Sequence, residues 1–468
     1  MPGVPRIAAL AAVAATATGL ATTAHGASWK GPVYPAKAIS SNLALAVAPN
    51  GTATVLFQGP TRSIAAISRT GPTARWSRTA RPWLAPGQAG VRGPLAAAFA
   101  GRRLAAVWSG AAGTVRSVAG SQGRAISRVR STRARPPVRA IELVGGPTST
   151  LQYGLWSPAG QAVGSITAGA RPARLPSAAN SPPAGTNVLH QAVDRAGNWT
   201  ALVLMAPTQL GVMTRPKGGA WGSPVPLPTP LKTAVGPPLL PPMAAGTATD
   251  LAVDAAGNAA IAFVTGANPT TGALDPAGTG FTLAVVQRQG ATGAFGAAQA
   301  VGNTQPQYFG GFGSAPPVGV AISPAAVVAA WGAGIGDPAV GGGVGILSSI
   351  AAPGQPFPPA TLTVIGSTEN WSPDGLQAAV TPNGMGAVMM WGDGAQGDAQ
   401  DLGVTTSLGP GQPWSKEFSL AGRKTGEQGY PGATIVPFNR GFVAAWSAGV
   451  PAEAGDNPTY HVGVASFM

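Results

Sequence analysis

The sequence predicts an all-β chain built from repeats of one four-stranded unit, and three observations predict it. First, a strand–turn–strand pattern recurs. In residues 250–264, Asp254 and Asn258 supply local hydrogen bonds and Gly257 a positive φ, between two apolar runs of strand length. The same pattern returns at 45–57, 191–204 and 376–391. Second, the strand after the turn is apolar on both faces: Ala259, Ile261 and Phe263 alternate with Ala260, Ala262 and Val264. A strand with one wet face would alternate apolar with polar, so this one is covered on both sides. Third, the hairpin glycines Gly51, Gly101, Gly197, Gly257, Gly384 and Gly441 lie 50, 96, 60, 127 and 57 residues apart. Two of those gaps are double, and each contains a worn hairpin, at 141–156 and at 318–331 around Ser323-Pro324-Ala325.

Within a unit the hairpin comes first. A third strand follows, at 112–119, 210–214, 282–288 or 402–407, and then a short edge strand spotted with proline after an aromatic residue, as at 219–227 and 411–420. Proline suits an edge, where a missing N–H breaks no ladder. Four antiparallel strands repeated every few tens of residues predict the blades of a β-propeller. Six clear units and two worn ones predict eight blades; seven is the alternative if 135–178 is an irregular insertion.

The last unit has its hairpin at 433–446 and a third strand at 461–467 but no edge strand, whereas residues 27–38 resemble an edge strand without a unit. The expected ring is therefore closed by the N-terminal strand completing the last blade, which removes an open sheet edge. Phe57, Trp108, Phe263, Trp331, Trp391 and Trp446, at the outer ends of the second strands, are expected to fill the wedge that widens between blades.

Residues 1–26 read as a signal peptide and 27–468 as the propeller domain. Arg6 precedes an uncharged run over 7–24, and Ala24-His25-Gly26 offers small residues at the cleavage spacing. The predicted mature chain is secreted or extracytoplasmic and monomeric, with no later apolar run long enough to span a bilayer. Abundant Ala, Gly, Pro and Arg suit a bacterial source. The chain has no cysteine. That excludes disulfides, thiolate metal sites, cysteine nucleophiles and a cysteine-linked lipid anchor.

The Ala-Val-Asp-x-x-Gly-Asn hairpin at 192–198 and 252–258 resembles the repeats of bacterial exported β-propeller proteins. It is also loosely similar to the aspartate box of sialidase-type propellers, although one extra residue precedes Gly257 and no Thr-Trp follows. The first resemblance implies an exported propeller across the mature chain. The second implies an exported glycoside hydrolase or lyase of sialidase-like type, which stands as the alternative function.

Such an enzyme needs an activated tyrosine, a carboxylic acid and an arginine cluster. Tyr430 with Glu427 is the one suggestive pair. His190 and His461 lie on apolar strands and read as hydrogen-bonded structural residues. Asp393, Asp398 and Asp401, in a Gly-rich stretch, form a candidate Ca²⁺ site, since hard oxygen ligands suit that ion; no other cofactor is predicted.

Charge carries the functional expectation. Residues 1–140 hold 18 Lys or Arg and no Asp or Glu, whereas the rest holds 11 basic and 15 acidic residues. In a ring the basic stretch becomes one sector, and basic clusters attract polyanions. Arg102, Arg103, Arg124, Arg128, Arg130, Arg133, Arg135 and Arg139 are the candidate contacts, with an anionic polysaccharide or cell-wall polymer as partner. The partner is expected to be read without sequence specificity, so sequence-specific nucleic acid is not expected; base stacking as in single-strand binders is not expected either, since the only interleaved aromatics, Trp76, Trp83 and Trp108, are explained by packing. The reading is an exported, non-enzymatic binding or scaffold propeller of the cell envelope.

Overall fold

The computed structural model describes residues 27–59, 63–77, 80–84, 91, 95–100, 103–110, 114–121, 130–133, 140–145, 152–156, 162–167, 182–183, 186–206, 209–228, 249–268, 273–275, 280–301, 317–335, 343–365, 371–394, 401–421, 432–450 and 459–468. Among them every regular element is a β-strand. No helix of the described residues is long and apolar enough to cross a membrane.

The strands form six four-stranded antiparallel sheets and one seven-stranded sheet. The unit at 249–301 shows the plan: Thr249–Val253, Ala259–Ala267, Gly280–Arg288 and Gln299–Val301 pair in chain order, each antiparallel to the next. Units at 43–84, 95–133, 318–365 and 371–421 repeat it. The seven-stranded sheet joins the four strands of 187–226 to three strands of 140–167 through a single parallel pair, Gly145 with Val193. The final sheet contains Thr434–Phe438, Gly441–Val450 and Thr459–Phe467, and its fourth strand is Trp29–Ala38. That pairing is antiparallel and runs from Trp29 opposite Phe467 to Ala38 opposite Tyr460.

The turns follow from their side chains. Asp254 Oδ1 accepts from the N–H groups of Ala256 and Asn258, at 2.8 and 3.0 Å, and its Oδ2 accepts from the Asn258 amide at 2.7 Å. Gly257 completes the turn at φ +86°, which a side chain would oppose. Asn258 Oδ1 then accepts from Gly290 N–H at 2.9 Å, tying the hairpin to the loop after the third strand. Asp194 and Asn198 repeat the arrangement, with Lys217 N–H as the tie. Thr381 and Ser323 replace the aspartate in two other hairpins, each hydroxyl accepting from backbone N–H groups across its turn. The recurring aspartate therefore seals a turn. Gly441 departs from the reading of it as a hairpin glycine. The chain turns through Asn439 and Arg440, and Gly441 opens the next strand, where a Cβ would collide with the carbonyl oxygen of Phe467.

The core lies between sheets. Ile261 and Phe263 pack with Leu202, Leu210 and Val212 of the preceding unit, whereas Ala260, Ala262 and Val264 pack with Val320, Ala329 and Trp331 of the following one. This explains a strand that is apolar on both faces. Phe57, Trp108, Phe263, Trp331 and Trp446 are fully buried, and Trp391 is half-buried. The first strand of each unit lies beside the first strand of the next, and that of the last unit, Thr434–Phe438, lies beside Leu43–Val47.

Candidate ligand-binding site

Of the arginines expected to meet a polyanion, Arg102, Arg124, Arg128, Arg135 and Arg139 lie outside the described residues. Arg130 and Arg133 are placed by backbone, on an edge strand opposite Ser117 and Thr114. Arg103 is exposed at the start of Arg103–Ser109, opposite Ser121. The neighbouring unit adds exposed Arg75 and Arg81, and the strand Trp29–Ala38 adds exposed Lys30 and Lys37. Lys30, Lys37, Arg75, Arg81 and Arg103, on three strand groups adjacent in space, are thus exposed, in a sequence stretch that holds no Asp or Glu up to residue 140.

The candidate Ca²⁺ ligands divide in the same way. Asp398 lies outside the described residues, as do Tyr430 and Glu427. Asp393 pairs with Ser372 and Asp401 with Gly392, which sets their backbones on neighbouring strands one residue out of register. The histidines have structural surroundings: His190 Nε2 lies 3.2 Å from Thr249 Oγ1 of the next unit, and His461 lies beside Tyr34, ring centroids 6.1 Å apart.

The structure also assembles a site that sequence reading missed. A cavity of about 590 Å³ opens where Trp29–Ala38, the end of Thr459–Phe467 and the loop after Ile64–Arg69 meet. Its wall includes Lys30, Val33, Tyr34, Arg69, Arg75 and Trp76, and among the described residues no Asp or Glu lines it. Lys30, Val33 and Arg75 are exposed, whereas Arg69 is only 2% exposed. The Arg69 guanidinium stands 5.4 Å from the Trp76 ring centroid and 6.0 Å from that of Phe438. Its Nη1 donates to Pro72 O at 3.1 Å, while Nε and Nη2 have no hydrogen-bond partner. Burial lowers its pKa to about 10. Arg69 shares with Arg288 the spacing of seven to a following aromatic residue, Trp76 or Phe295, but that spacing marks the capped arginine and not the cavity.

No protein-family model matches the chain, and no curated protein sequence matches it. Among solved structures it is similar to the WD40 domain of SCAP from fission yeast, with 11% identity, 94% of each chain covered and a TM-score of 0.45. It is also similar to a polysaccharide lyase, a PL25 ulvan lyase, at 13% identity and a TM-score of 0.41, covering 83% of this chain and 96% of that one. A third likeness is to AofleA from Arthrobotrys oligospora, at 15% identity and a TM-score of 0.36, covering 85% and 90%.

Proposed function

We propose that this chain is an exported, non-enzymatic binding propeller that contacts an anionic polymer of the cell envelope through the basic sector formed by its first 140 residues. The ring has eight blades and is closed by Trp29–Ala38 as the outer strand of the last blade. Two findings support the ring: first strands neighbour one another from unit to unit and back to the first, and the last sheet takes its fourth strand from the N-terminal segment. Export rests on the signal-like residues 1–26.

One observation carries the binding reading. Cations at Lys30, Lys37, Arg75, Arg81 and Arg103 are exposed on adjoining strands and loops, in a stretch of sequence without one carboxylate. A one-sign surface attracts a flexible polyanion through many weak contacts and releases it as salt rises.

The test is retention of the chain lacking residues 1–26 on an immobilised acidic polysaccharide and on anionic liposomes, at low and high salt. Retention at low salt and release at high salt are expected, with loss of retention when Arg103, Arg130 and Arg133 are changed together to Gln. Absence of retention at low salt on both supports, or retention unaffected by the triple change, overturns the reading.

A further inference from the structure

Arginines end the third strand of three units at one register position. Arg69 stands opposite Ala53, Arg215 opposite Trp199 and Arg288 opposite Ala259. Arg69 and Arg288 are also capped alike, by Trp76 at 5.4 Å and by Phe295 at 5.2 Å. They are best compared by what the preceding unit offers each cation.

Arg288 reaches back to a polar neighbour. Its Nη2 donates to Thr200 Oγ1 at 2.9 Å, and the carboxylate of Asp194, the turn-sealing aspartate of the preceding hairpin, supports its charge against desolvation. Its Nε and Nη1 are unpartnered, so incomplete hydrogen bonding is common to both sites. Counter-charge is not. Arg69 faces Phe438 in the preceding unit, and burial acts on it without a compensating carboxylate. A buried cation with no anion is costly, and the cost is relieved when an anion arrives. Beside Arg69 the cavity opens, and exposed Lys30 and Arg75 belong to its lining.

We propose that the cavity between Trp29–Ala38 and the loop at 70–77 binds a carboxylated sugar residue, its carboxylate drawn to Lys30, Arg75 and Arg69 and its pyranose ring laid on the apolar wall. The two halves of the lining select this class together. Three cations favour a carboxylate over a neutral sugar: exposed Lys30 and Arg75 can donate charge-assisted hydrogen bonds, the stronger kind, and buried Arg69 adds its charge from within the wall. Val33, Pro72 and Trp76 give apolar surface that an inorganic anion leaves unused, whereas the C–H face of a pyranose covers it. A volume of about 590 Å³ lies in the ordinary range of small-molecule pockets and exceeds the needs of a bare oxyanion. The proposal rests on the polyanion reading and names the unit of the polymer that is held in a pocket.

The experiment titrates the chain lacking residues 1–26 with D-glucuronate, D-glucose and inorganic phosphate, by calorimetry and by tryptophan fluorescence. Saturable glucuronate binding is expected, with glucose and phosphate each weaker by about tenfold or more. Trp76→Ala and the double change Lys30→Gln, Arg75→Gln should each weaken glucuronate by about fivefold or more. Arg69→Gln should abolish it. Because Arg69 is buried and its variant can fail to fold, the double change of exposed residues decides the matter alone. Absence of saturable glucuronate binding overturns the proposal. So does glucose or phosphate matching glucuronate, or an affinity unmoved by the double change. Loss of polymer retention with glucuronate binding intact removes the basic-sector reading and leaves the pocket; the converse removes the pocket and leaves the sector.

Discussion

Asp250 Oδ2 accepts a hydrogen bond from the backbone N–H of Val320, 2.7 Å away on the first strand of the next unit. The contact belongs to a series. Gln377 Oε1 accepts from Ile435 N–H at 2.9 Å, and His190 Nε2 lies 3.2 Å from Thr249 Oγ1. His190, Asp250 and Gln377 each stand three residues before the end of a first strand, at Val193, Val253 and Val380. One repeat position therefore links neighbouring units through three different side chains.

Asp250 makes this link pH-dependent. Desolvation raises its pKa above the ordinary carboxylate value, against the opposing influence of His190 and of hydrogen bonds from Val320 and Leu251. A folded-state pKa raised above the unfolded one contributes stability that is complete below the unfolded value, about 3.9, and is lost as pH rises through the folded value. Asp250→Asn retains an acceptor without the charge. Its melting temperature should exceed that of the parent near neutrality and converge with it in acid. Asp250→Ala should instead cost about 1–3 kcal/mol, because Val320 N–H loses its partner. A melting difference between the Asp250→Asn variant and its parent that stays constant from about pH 4 to about pH 8 rules out this account.

His461 reports on the terminal pairing. It stands opposite Lys37 in the register of Trp29–Ala38 with Thr459–Phe467. Desolvation lowers its pKa below the ordinary imidazole value, and the Lys37 charge lowers it further. A depressed folded-state pKa gives stability that is present above the unfolded value, about 6.5, and is lost as pH falls through the folded value. Mild acid should therefore loosen this pairing. In an NMR titration the His461 midpoint should lie below that of a model imidazole, and Lys37→Gln should raise it part of the way back. An unmoved midpoint in that variant would show that the lysine charge does not reach the ring.

Much of the architecture is legible in the sequence because the repeat writes it several times. The two-faced strand at 259–264 signals burial on both sides, and its alternate residues indeed divide between the units before and after it. The hairpins at 250–264 and 318–331 are readable from turn residues alone, since Asp254 and Ser323 act locally. Gly441 misleads because glycine serves close approach as well as positive φ, and the sequence does not separate the two. The cavity is not legible, because Lys30, Arg69, Arg75 and Met468 meet only through pairing of the two ends of the described chain. In sequence Arg69 is one more basic residue in a basic stretch. Its distinction, the aromatic Phe438 where Arg288 meets Asp194, is a property of the neighbouring unit.

Removal of residues 27–38 tests how much the last sheet depends on its fourth strand. That strand buries Trp29 and Ala38, stacks Trp29 against Phe418 at 6.1 Å and sets Tyr34 edge-on to Trp446 at 6.0 Å. It also covers backbone groups of Thr459–Phe467, which become an open edge when it is gone. Trp29→Ala keeps the backbone pairing and loses the aromatic, at an expected cost of about 3–5 kcal/mol. The deletion loses both and should lower the melting temperature further than the point change. It should also drive concentration-dependent association, visible by light scattering, as exposed edges pair between molecules. A peptide of residues 27–38 added in trans should reverse the association and restore part of the melting temperature. If the deleted chain melts with the parent and stays monodisperse, Trp29–Ala38 is a dispensable appendage and the ring is not closed through it.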